Sequence, residues 1–101
     1  MRINEAHLNC AFEAAQNKKA LDLLILDLRD LEAFTDHFII CSGTSPSQIR
    51  AISDEIEARL KKVGKSPNHI EGYQHAQWIL MDYSDFIVHI FTPDTRAYYN
   101  L

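Results

Sequence analysis

The clearest periodic signal lies between Pro46 and Val63, where Ile49, Ile52, Ile56, Leu60 and Val63 recur three or four residues apart. That spacing sets all of them on one stripe of an α-helix. The flanks agree. Ser45 stands at the N-cap position, and Pro46 falls at the first helical position, where its missing N–H costs nothing. Gln48 completes an S-x-x-Q capping box. Lys61 and Lys62 occupy the last turn, and Gly64 is placed to end the helix in a left-handed conformation. An earlier helix is predicted over Ile3 to Lys19, with Ile3, Ala6, Cys10 and Ala14 on one face and Lys18 and Lys19 at its end.

Two apolar runs between these helices do not alternate: "DLLILDL", Asp22 to Leu28, and "HFIICS", His37 to Ser42. Both read as strands covered on two faces, with "RDLEAFTD" as their connection. After the second helix, "KSPN" is a loop, "HIEG" a short strand and "YQHAQ" a loop. "WILMD", Trp78 to Asp82, and "FIVHIFT", Phe86 to Thr92, flank the tight "YSD" turn and predict an antiparallel hairpin. Pro93 opens a last short helical segment. The order predicts an α/β (α+β) chain: one domain over residues 1–101, with a single mixed β-sheet of about five strands packed by helices.

Composition narrows the function classes. A formal net charge of −4 argues against a general phosphate-backbone binder and favours a basic partner. Two cysteines, Cys10 and Cys41, read as reduced buried thiols. No apolar run approaches the ~20 residues of a membrane span. The N-terminal "MRINEAHLNC" has no signal-peptide pattern and carries Glu5, so the cytoplasm is the expected compartment.

The stretch "SGTSPSQIR", Ser42 to Arg50, has the outline of a phosphate loop. Gly43, Thr44 and Ser45 before a helix N-terminus offer N–H groups to an anion. A nucleotidyltransferase also needs carboxylates on adjacent same-face strand positions to hold metal. Asp82 has Leu80 where its partner belongs, Asp85 lies in the turn, and Asp27 and Asp30 straddle a strand end. Capping therefore explains the loop, with a weak anion site at Gly43, Thr44 and Ser45 as the remaining role. His7, His37, His69, His75 and His89 show no short metal-ligand spacing, and no catalytic residue, metal or cofactor is expected.

Aromatic residues crowd the last third of the chain. Alternation puts Trp78, Leu80 and Asp82 on one face of their strand, and Ile87, His89 and Phe91 on one face of the next. Ile79 and Met81 then face the helices. Trp78 is either an interface anchor on the far face or is covered by the final helix, with Tyr98 and Tyr99 as core. An RNA-stacking sheet is a third reading, which the acidic charge disfavours.

The segments "TDHFIICSGTSPSQIRAISDEI" and "EGYQHAQWILMDYSDFIVHIFTPDTRAYYNL" resemble the ribosomal silencing factor family, also called the Iojap or RsfS family. The match runs from about Lys19 to Leu101. Its marks, in order, are Asp36, Gly43-Thr44-Ser45, Glu71-Gly72, Trp78, Asp82, Val88-His89, Phe91, Arg96 and Tyr99-Asn100-Leu101. The resemblance implies a nucleotidyltransferase-like fold without catalytic carboxylates. It implies a non-catalytic translational repressor that binds the large ribosomal subunit through its ribosomal protein fourteen. Joining of the small subunit is thereby blocked when nutrients fall. It also implies a homodimer off the ribosome, no membrane and no direct nucleic-acid specificity. By the same resemblance Trp78 is the aromatic anchor, and Glu71 and Asp82 face basic side chains. His89, Phe91, Arg96 and Tyr99 complete the patch, while Gly72 serves backbone geometry. Family members usually continue a few residues past the position of Leu101.

Overall fold

The computed structural model describes residues 3–31 and 34–99; the side chains of residues 3, 4 and 99 lie outside the described set. The elements run α1 (Ile3–Asn17), β1 (Leu21–Asp27), β2 (His37–Ser42), α2 (Pro46–Lys62), β3 (His69–Glu71), β4 (Trp78–Asp82), β5 (Phe86–Phe91) and α3 (Pro93–Tyr99). The five strands form one sheet in the order β1-β2-β5-β4-β3. The β2–β5 pair is parallel and the other three pairs are antiparallel. The fold is the mixed sheet with helices that the pattern predicts.

The core lies between the sheet and the α1–α2 pair. Ile39, Cys41, Ile79, Met81, Phe86, Val88 and Ile90 point to this side and are fully buried, or nearly so, against Ile49, Ile52, Ile56 and Leu60 of α2. Val63 closes α2 as its C-cap and is 55% exposed, so the predicted stripe stops one residue short. Gly64 follows at φ +83, as expected. The face of α1 differs from the expected one. Leu8, Ala11, Ala14 and Ala15 are buried, whereas Ala6 is exposed and Cys10 is half-buried. Three of the four buried residues are alanines, so the apolar pattern carries little contrast. The helix ends at Asn17, where Lys19 takes a left-handed φ of 61 and Ala20 N–H returns to the Ala15 carbonyl.

The α2 N-terminus is capped by Ser45, whose Oγ accepts the Gln48 N–H at 3.1 Å. The Gln48 side chain does not close the expected box. Its Oε1 accepts from Thr44 N and Thr44 Oγ1 at 2.7 and 2.8 Å, and its Nε2 donates to the Lys18 and Lys19 carbonyls. Gln48 thus ties α2 to the end of α1. Cys41 is buried and Cys10 only half-buried; both are free thiols.

β1 overturns an expectation. It is an edge strand, and of its seven residues only Leu23 is even half-buried. A leucine-rich run without alternation describes an exposed edge as well as a doubly covered strand, and β1 is the former. Opposite Cys41, a bulge between Leu21 and Leu24 sets the extra residue Asp22 at φ +48.

Candidate functional site

The sheet face away from α1 and α2 carries three rows of side chains, fixed by strand register. One runs Leu26, Phe38, Ile87, Asp82, His69. The next runs Leu24, Ile40, His89, Leu80, Glu71. The third runs Leu21, Ser42, Phe91, Trp78. Alternation placed Trp78, Leu80, Asp82, Ile87, His89 and Phe91 correctly. The contributions of β1 and β2 (Leu24, Leu26, Phe38 and Ile40) were missed, because both strands read as two-sided core.

At the end of the third row Trp78 is held by its neighbours. Its ring lies 5.0 Å from Phe91 and 5.9 Å from His89 between centroids, and its indole N–H donates to His89 Nδ1 at 3.1 Å. Phe38 meets the same imidazole edge-on at 4.6 Å. His89 is therefore only 8% exposed, and burial pushes its pKa down to about 4. It is neutral near pH 7, and its proton sits on Nε2, an atom with no hydrogen-bond partner among the described residues. Phe91 is fully buried. Trp78 itself is half-buried and divides two hollows. One, of about 490 Å³, is lined by Gln77, Trp78, Asp94, Thr95 and Tyr98; the other, of about 260 Å³, by Glu71, Gly72, Trp78 and Leu80.

The approach to Trp78 is stiff. Gly72 has φ +80, and a Cβ there would lie 2.1 Å from the Trp78 carbonyl oxygen, so glycine is required for the chain to pass. Arg50 of α2 donates to the Tyr73 and Gln74 carbonyls, and Tyr73 Oη donates to the Asp54 carboxylate at 3.0 Å. The residue 72–76 loop is thereby clamped on α2, which no sequence pattern announced.

The remaining candidates are placed as follows. Glu71 is exposed, with its carboxylate 2.8 Å from His69 Nε2. Asp82 is half-buried and accepts the Ser84 N–H at 2.8 Å, closing the β4–β5 turn. Arg96 Nη1 donates to the Asp22 carbonyl at 2.8 Å and to Ser42 Oγ at 3.1 Å, pinning α3 to the β1 bulge. The Tyr99 side chain, Asn100 and Leu101 lie outside the described residues. Tyr98 is 81% exposed, so α3 does not bring it into a core.

The Gly43 loop is occupied by its own chain. Gly43 N–H goes to the Phe91 carbonyl, Thr44 N–H to Gln48, and Ser45 Oγ takes the Gln48 N–H. A Cβ at Gly43 would come within 3.0 Å of Ile49 Cγ1, so close packing explains the glycine. Among the described residues no group of three or more His, Cys, Asp or Glu could hold a metal ion. No described helix is long and apolar enough to cross a membrane.

The family model for "Ribosomal silencing factor during starvation" matches residues 2–101. The chain belongs to the ribosomal silencing factor family. The match starts within a residue of α1, well before Lys19, where the recognisable motifs begin. A silencing factor of Halalkalibacterium halodurans is 38% identical over 98 residues, covering 97% of this chain and 84% of that protein. Another, from Bacillus subtilis, is 39% identical over 94 residues, covering 93% of this chain and 80% of its own length. A crystal structure of a Chromobacterium violaceum protein superposes with a TM-score of 0.93 at 31% identity, covering 99% of this chain and 82% of that one. The silencing-factor family is named for regulation, and translational regulation is the functional class of this chain.

Proposed function

We propose that this silencing factor binds the large ribosomal subunit through its ribosomal protein fourteen and sterically blocks joining of the small subunit when nutrients fall. The observation that carries this is the match of residues 2–101 to the silencing-factor family. The open sheet face supplies a physical basis. A half-buried tryptophan held between two hollows, one of them lined by Glu71, suits an anchor on a basic protein, with Asp82 at the far end of the same strand. Trp78 makes the main contact. His89 and Phe91 are buried and act by supporting it. Occlusion needs no chemistry. The nucleotidyltransferase-like alternative through Gly43, Ser45 and Asp82 would require thermal stabilisation by nucleotide with Mg²⁺. A homodimer off the ribosome belongs to the same proposal, and sedimentation of the free protein reads it.

The test is co-sedimentation with isolated large subunits, wild type beside Trp78→Ala. Loss of a central aromatic anchor weakens binding by ~2 kcal/mol or more, roughly thirtyfold. If wild type and a folded variant pellet alike, the anchor lies elsewhere. If neither pellets, the ribosome reading fails.

A further inference from the structure

The chain between β3 and β4 is held in a strained turn. Gly72 and Ala76, at its two ends, both take a left-handed φ, +80 and +52, and the Ala76 N–H returns to the Gly72 carbonyl at 2.9 Å. Glycine adopts that conformation freely, but at Ala76 a Cβ opposes it, so contacts from outside the turn must hold it there. Arg50 supplies them. Its guanidinium donates to the Tyr73 carbonyl at 3.0 Å and to the Gln74 carbonyl, and it lies 5.9 Å from the centre of the Tyr73 ring. Two carbonyls on adjacent residues suit a planar fork better than the point charge of a lysine. Tyr73 Oη in turn donates to Asp54, one helical turn beyond Arg50 on α2. The turn so held is a wall of the site. Gly72 lines the hollow of about 260 Å³ beside Trp78, and its backbone stands too close to the Trp78 carbonyl for any Cβ between them. Ala76 is fully buried two residues before Trp78.

We propose that Arg50 is a positioning residue for the Trp78 anchor, with Tyr73 and Asp54 as its support: the fork on the 72–76 turn fixes that wall of the hollow and so sets the tryptophan before any partner arrives. This rests on the reading of Trp78 as the anchor and deepens it. Arg50 touches no partner in this arrangement. Its contribution to binding is the ordering of the turn in the free protein, which the complex then need not supply.

The experiment compares wild type, Arg50→Ala, Arg50→Lys and Tyr73→Phe in the full chain, with two readouts on the free protein and one on the complex. Trp78 is the one tryptophan, so acrylamide quenching of its fluorescence reports its setting directly. In Arg50→Ala quenching rises about twofold and the Ala76 amide exchanges about tenfold faster, as the turn opens locally. Arg50→Lys, which keeps the charge and loses the fork, falls between wild type and Arg50→Ala, and it carries the test if Arg50→Ala does not fold. Tyr73→Phe keeps the ring and loses the Asp54 bond, and it shifts both readouts in the same direction by less. Arg59→Ala breaks another arginine contact of α2, the ion pair with Glu55, and moves neither. Affinity for isolated large subunits falls about tenfold in Arg50→Ala, and not at all when Trp78 is already alanine. Unchanged quenching in both Arg50 variants overturns the proposal. So does an equal loss of affinity with and without the tryptophan, which would make Arg50 a contact of its own. If wild type does not pellet with the subunits, the ribosome reading fails, and quenching and exchange still decide whether Arg50 sets Trp78.

Discussion

Trp78 owes its orientation to His89, and that dependence can be titrated. The histidine's folded pKa of about 4 lies below the ordinary 6.5. Between those values the unfolded chain holds a proton that the folded chain lacks. Stability therefore rises with pH across the window and is lost as pH falls from 6.5 towards 4, at up to about 1.4 kcal/mol per unit. Urea unfolding at pH 7 and pH 5 should differ by about 2 kcal/mol on this account, and His89→Gln should remove that part of the slope. The chain has one tryptophan, so its fluorescence reports the pair directly. Emission should hold steady down to about pH 5 and change near 4, where a protonated Nδ1 can no longer accept the indole N–H. Gly72→Ala tests the approach from the other side. Strain at φ +80 plus a Cβ pressed on the Trp78 carbonyl should cost about 3 kcal/mol in denaturant unfolding. Alternation placed Trp78 on the open face. It could not show His89 buried, because that depends on Phe38 and Trp78 arriving from other strands.

Among the elements, α2 was legible nearly to the residue and β1 was misread, and the contrast has a physical cause. A helix with one buried stripe writes a period into its sequence, and its caps write local chemistry. An edge strand with leucine on both faces writes neither, so position in the sheet decides its burial. Gln48 shows the limit of local reading as well, since two of its acceptors lie at the end of α1. Ser45→Ala should cost ~1 kcal/mol, the usual worth of a cap. Gln48→Ala should cost a similar ~1 kcal/mol and loosen the α1–α2 junction, seen as faster amide exchange at residues 18–20.

For the whole molecule, the fold class followed from element order, but the neighbours of each strand did not, because pairing across the sheet leaves no periodic trace. Cys41 lies fully buried in β2 beside the central strand, and burial pushes its thiol up to about 12. Cys10 is half-buried on α1. A disulfide reagent at pH 8 should therefore label Cys10 in the native protein, and Cys41 only at the rate of global opening. Equal labelling rates would mean that the sheet opens locally around β2.

The parallel pair at the middle of the sheet has a consequence for how the protein is made. β5 is the last strand synthesised, yet it lies between β2 and β4 and joins the two halves of the sheet. Until Phe91 has left the ribosome's exit tunnel, β2 has no inner neighbour and the core no floor. The two halves of the sheet can therefore join only once β5 has emerged, so a sheet of this strand order closes in a single step after its other four strands are made.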